Sequence, residues 1–136
     1  MPTGPNILEA ALYCPDLDVA EAFYGGVLGF EKVLRVGARH VFYRAGHSIL
    51  LIFNPTQTEH PAAPDALPVP PHGARGPGHV CFAATATELS AWRAKLEAAG
   101  LAIEADFTWP GGARSIYFRD PAGNSLEFAE PHLWGL

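Results

Sequence analysis

The stretch Ile116–Glu130, IYFRDPAGNSLEFAE, decides how the chain folds. Apolar and polar residues alternate on either side of Asp120-Pro121-Ala122-Gly123-Asn124, the pattern of two half-buried strands joined by a tight turn. Glu127 breaks the pattern. A carboxylate in mid-strand between Leu126 and Phe128 points either to water or into a lined cavity, and burying it without a charge partner is costly. A bound cation is one partner that offsets the cost.

Working back from this hairpin, Gly111-Gly112 marks a turn between a strand near 114–118 and another near 102–107. Before these, Thr85 and Glu88 have capping-box spacing ahead of Leu89, Trp92, Leu96 and Ala99, which recur at helical spacing, with Gly100 as the C-terminal cap. His79–Ala84 reads as a strand. The segment therefore reads strand, helix, three strands.

The same order occurs in the first part of the chain. Ile7–Cys14 is a strand carrying Glu9, and Pro15-Asp16 ends it. A helix follows, capped by Asp16 or Asp18, with Asp18 and Glu21 at capping-box spacing and Val19, Ala22, Phe23 and Leu28 on its apolar side; Gly29 closes it. Strands over 31–36, 40–44 and 48–53 come next. Ile49–Phe53 is apolar at every position, as expected of a strand covered on both faces.

This is an internal repeat, and it predicts an α+β fold of two βαβββ modules with curled mixed sheets. Module one spans about residues 5–54 and module two 78–130, within a single domain of residues 1–136. Between them, seven prolines from Pro55 to Pro77 mark a connector (55–77) expected to hold no helix or strand. A loop of that length joins modules or covers a site. Matching Arg44–Ser48 with Arg119–Ser125 sets Leu50 against Glu127, and Glu9 against His79.

Composition limits the function classes. At 136 residues with 49% hydrophobic and 17% charged residues, the chain is long and apolar enough to bury a core. A net charge of -5 with nine scattered basic residues argues against a nucleic-acid surface, which needs clustered Lys and Arg. The expected partner is a small molecule. With no basic-then-apolar leader and no run of spanning length, the chain reads as soluble and cytoplasmic, without a membrane partner. Cys14 and Cys81 lie in apolar runs and read as free buried thiols.

Three segments, LYCPDLDVAEAFYGGVLGF (12–30), GPGHVCFA (76–83) and YFRDPAGNSLEF (117–128), together resemble the vicinal oxygen chelate superfamily. That group includes glyoxalase I, fosfomycin-resistance enzymes, extradiol dioxygenases and bleomycin-resistance proteins. The resemblance implies two half-open barrels around a divalent metal held by residues of the first and last strand of each module. Carried over, it implies Glu9, His79 and Glu127 as metal ligands, with Leu50 at the fourth position.

Two carboxylates and one imidazole suit a single Mn, Fe, Ni or Zn ion. With open coordination positions, that ion would bind two adjacent substrate oxygens and act as a Lewis acid. The glyoxalase-like reading is lyase or isomerase chemistry; dioxygenase chemistry stands beside it, although Glu9 replaces a His of that layout. The alternative is a metal-free protein that sequesters a ligand, as bleomycin-resistance members do. Tyr117, ten residues before Glu127, resembles the tyrosine that hydrogen-bonds bound substrate in extradiol dioxygenases. His72 in the connector is a candidate general base. A homodimer is implied as well.

Overall fold

The computed structural model describes residues 3–136. They form two compact units, one running to Arg75 and the other from Gly76 to Leu136. Each unit contains one four-stranded sheet.

In the first unit the strands are β1 (Glu9–Tyr13), β2 (Lys32–Val36), β3 (His40–Ala45) and β4 (Ser48–Phe53). They lie in the order β1-β4-β3-β2. β1 runs parallel to β4 and the other pairs are antiparallel. The parallel pair requires a crossover, which begins with α1 (Leu17–Glu21) and continues as one π-helical segment, Ala22–Val27. Asp16 caps α1, its side chain accepting from the Asp18 and Val19 amides, so neither Asp18 nor a box with Glu21 is the cap.

That start also sets the phase of the buried stripe. Leu17, Ala20, Phe23, Tyr24 and Leu28 are buried, whereas Val19 is 44% exposed and Ala22 faces outward. Gly29, with φ of 73°, ends the segment in the left-handed region that a glycine tolerates.

The second unit repeats the plan with β5 (His79–Ala83), α3 (Ala86–Ala98), β6 (Ala105–Thr108), β7 (Arg114–Arg119) and β8 (Ser125–Ala129), in the order β5-β8-β7-β6. Thr85 and Glu88 form the full capping box, each side chain bonding the other's backbone amide. Leu89 and Leu96 are fully buried on the inner side of α3. Trp92 is only half-buried; it stacks on Phe128 with ring centroids 4.4 Å apart, and Lys95 Nζ lies over its ring at 5.0 Å.

The register corrects one detail of the repeat. Glu9 pairs with Ile49 and His79 pairs with Ser125, so the position equivalent to Glu127 is Leu51 rather than Leu50. The turn after β3 is tight, pairing Ala45 with Ser48, and the matching serines are therefore offset by one residue. Leu50 points to the helix side, where it is 2% exposed. A one-residue offset moves a side chain to the opposite face.

The proline-rich connector is not wholly irregular. Asn54 caps a one-turn helix, α2 (Pro55–Thr58), with Pro55 at the first position, where the missing amide costs nothing. Its far end is strapped to the same unit. The His72 amide donates to the Thr58 carbonyl at 2.9 Å, and Arg75 pairs with Glu59 at 2.7 Å.

Candidate functional site

The turn Asp120–Asn124 does more than join two strands. Asp120 Oδ1 accepts from the Ala122 and Asn124 amides, and Oδ2 accepts from Asn124 Nδ2. Asn124 Oδ1 in turn accepts from the Gly78 amide at 2.8 Å, and the Ser125 amide donates to the Gly78 carbonyl at 2.9 Å. Asn124 is buried, so these bonds are shielded from water. The turn thereby clamps the residue preceding His79 and fixes where β5 begins.

One face of the second sheet results. His79 and Cys81 on β5, Glu127 on β8, and Ser115 and Tyr117 on β7 alternate onto it, while Phe82, Leu126, Phe128, Ile116 and Phe118 take the other. Glu127 stands directly between Cys81 and Tyr117. It is 5% exposed.

This buried carboxylate meets a hydroxyl on one side and an imidazole on the other. Ser115 Oγ donates to Oε2 at 2.6 Å, and His79 Nε2 lies 3.2 Å from Oε1. Burial first, then hydrogen bonding to Glu127 and its charge, pushes the Tyr117 phenol up to about 12. Partial desolvation on the sheet face, followed by the charge of Glu127, pushes the Cys81 thiol to about 12 as well. Both therefore stay protonated at neutral pH and face the carboxylate as neutral groups.

His79 is fixed on its other side. Nδ1 lies 2.9 Å from the Ser125 carbonyl oxygen, which only accepts, so Nδ1 carries a proton. Nε2 is then a lone pair aimed at a carboxylate oxygen unless a proton or a cation lies between them. The His79 ring also stacks on Tyr117, centroids 6.2 Å apart at 14°, and Tyr117 stacks on Phe107 at 5.8 Å.

Two of the donor atoms that a metal site needs, His79 Nε2 and Glu127 Oε1, stand together here. A ligating imidazole commonly donates its second N–H to a backbone carbonyl, and a ligating carboxylate is itself hydrogen-bonded, as are His79 and Glu127. Among the described residues no three His, Cys, Asp or Glu side chains gather as a metal-holding group. The structure brings together His79, Glu127 and Tyr117. Glu9 and His72 belong to the first unit, where Glu9 is exposed on β1.

His72 is exposed but tied to its unit. Its Nδ1 is 2.7 Å from the Tyr13 hydroxyl, and its ring meets Phe53 edge-on at 4.5 Å. His40 is half-buried and stacks on Phe42 at 4.3 Å; burial and the adjacent Arg39 lower its pKa.

Sequence reasoning missed two participants and misplaced a third. Cys81 is exposed on the Glu127 face rather than buried. Ser115 is fully buried and bonded to Glu127, and Trp109 Nε1 donates to Ser115 Oγ at 2.8 Å. Counting the hairpin register from the turn puts Ser115 opposite Ala129, diagonal to Glu127, which was the available signal. Trp109 and Trp134 line one cavity of about 290 Å³ with Pro110, Ala113, His132 and Leu133. Among the described residues no helix is long and apolar enough to cross a membrane.

Known proteins agree with this architecture. A crystal structure of lactoylglutathione lyase from Agrobacterium tumefaciens is 43% identical, covers 99% of this chain and 100% of its own, and superposes with a TM-score of 0.93. A superfamily member from Sphaerobacter thermophilus (21% identity, 95% of this chain and 99% of that one, TM-score 0.69) shares the fold. So does a protein from Nocardioides (21%, 96% and 85%, TM-score 0.71). No curated protein matches the sequence. The family model described as Glyoxalase/Bleomycin resistance protein/Dioxygenase superfamily matches residues 6–128, and the chain belongs to that superfamily.

Proposed function

We propose that the chain is a divalent-metal-dependent enzyme with glyoxalase-like lyase or isomerase chemistry, acting on a small oxygen-rich molecule. The observation that carries this reading is the 3.2 Å edge between His79 Nε2 and Glu127 Oε1, with the opposite atom of each side chain already held by Ser125 and Ser115. The 43% identity to a lactoylglutathione lyase favours glyoxalase-like over dioxygenase chemistry. Glu9 in place of a second imidazole weighs the same way.

His79, Glu127 and Glu9 would hold the ion. When bound, it supplies Lewis-acid stabilisation of negative charge on substrate oxygens. The neutral Tyr117 phenol, hydrogen-bonded to Glu127 in the free protein, would turn its one proton to a substrate oxygen on binding. Its stack with His79 and Phe107 gives a planar or apolar part of the substrate a surface to rest on. His72, in the tautomer with Nδ1–H donating to the Tyr13 oxygen, keeps a lone pair on Nε2 to accept a proton. A cytoplasmic homodimer is the setting we infer.

The same 3.2 Å edge is satisfied by one proton on Nε2, giving an imidazolium–carboxylate pair in a metal-free binding protein. Calorimetric titration of untagged protein with Mn²⁺, Ni²⁺ and Zn²⁺, alongside Glu9→Ala and Glu127→Gln, separates the readings. About one equivalent taken up, and weakened in both variants, supports the enzyme. No uptake of any of the three ions leaves the binding protein.

A further inference from the structure

We infer that Trp109 and Ser115 form a one-way hydrogen-bond relay that positions Glu127, leaving one carboxylate oxygen capped and the other presented to His79. The inference rests on the metal-centre reading above for its consequence, and on geometry alone for the relay itself.

The direction of the relay is fixed by chemistry. An indole N–H only donates, and Trp109 Nε1 lies 2.8 Å from Ser115 Oγ. The serine oxygen is thereby an acceptor, so its hydroxyl proton is free to point at the 2.6 Å contact with Glu127 Oε2. A serine without the indole could turn its hydroxyl elsewhere. With Ser115 fully buried and Glu127 nearly so, water is a poor substitute for either partner.

The fold supplies the spacing. Trp109 lies just beyond β6, and its amide donates to the Ala113 carbonyl at 2.8 Å, closing the turn before β7. Phe107 packs against its ring edge-on, centroids 4.7 Å apart, fixing the indole plane. Neither residue reaches the open edge between His79 and Glu127, so both act through the carboxylate as positioning residues.

The relay predicts non-additive effects on metal binding. Ser115→Ala is expected to weaken Mn²⁺ or Ni²⁺ affinity by about 10- to 100-fold, and Trp109→Phe by less, as for outer partners of metal ligands. In the Ser115→Ala background, Trp109→Phe is expected to cause no further loss. Additive losses would overturn the relay. So would unchanged affinity in both single variants.

A second readout needs no metal. In the metal-free protein the Trp109 indole N–H is expected to exchange slowly in NMR, and its resonance to move in Ser115→Ala and in Glu127→Gln but not in Glu130→Gln. Failure of the wild-type chain to bind any ion would sink the metal reading while leaving this result to judge the relay. A fast-exchanging indole proton indifferent to Ser115 and Glu127 would overturn it.

Discussion

His79 Nε2 and Glu127 Oε1 face each other at 3.2 Å, and neither side chain is free to turn away. Ser125 holds the imidazole through Nδ1 and Ser115 holds the carboxylate through Oε2. Under the proposed reading, these two donor atoms would share a cation. The neighbouring Tyr117 and Ser115 contribute hydrogen bonds to the carboxylate rather than charge, and Cys81 stands beside it as a neutral thiol.

Glu127→Gln therefore separates charge from shape. The amide is nearly isosteric and still accepts from Ser115 through its oxygen, so folding is expected to change by no more than about 1 kcal/mol. Metal affinity is expected to fall by more than about 100-fold, beyond the loss typical of an outer partner. Elemental analysis after dialysis against each candidate ion checks it. Retention of a full equivalent in the variant would place the ion elsewhere.

Asn124→Ala tests the clamp on β5. The substitution strands the Gly78 amide and removes the Asn124 amide donor to Asp120, with an expected cost of about 2–3 kcal/mol in urea unfolding. Because Gly78 precedes His79, the loss should reach the site as well. Metal affinity is expected to drop in Asn124→Ala but not in Thr85→Ala, which removes the cap of α3 and costs about 1 kcal/mol of stability. Equal effects of the two variants on metal binding would mean that stability, not His79 placement, is being read.

The fold was legible because its punctuation is strong. β4 and β8 begin and end where alternation and the glycine turns place them, and the repeat follows from their order. β6 was read about three residues early: Glu104 still donates its amide to the Tyr117 carbonyl, yet regular pairing starts only at Ala105. The phase of α1 was missed because a period of 3.6 cannot anticipate that Asp16 starts the helix and that a π-helical turn follows. Of the site, Glu127 and His79 were legible as polar residues in apolar strands. Ser115 needed the hairpin register counted from the turn, which periodicity along one strand does not contain, and the Trp109 bond to Ser115 had no signal in the sequence.

The last prediction concerns Asp106 on β6, which binds β7 and α3 together. Its carboxylate takes a two-pronged bond from Arg114, at 2.8 Å from Nε and 2.7 Å from Nη2, and a further bond from Arg93. The Arg114 bonds foremost, then those of Arg93 and the charges of both, hold its pKa down at about 2 against an ordinary 3.8, although partial burial works the other way. A carboxylate whose folded pKa is depressed stabilises the fold above its unfolded value and loses that contribution as pH falls through the folded one. The side chain is only 16% exposed, so solvent screening is limited, and the difference is worth about 2 kcal/mol at most. Asp106→Asn is thus expected to be about 1–2 kcal/mol less stable than the wild-type chain at pH 7. The gap should hold down to about pH 4 and close as pH approaches about 2. Urea unfolding of both proteins across that range measures it, and a gap that stays constant through the window would show that the carboxylate charge is not its source.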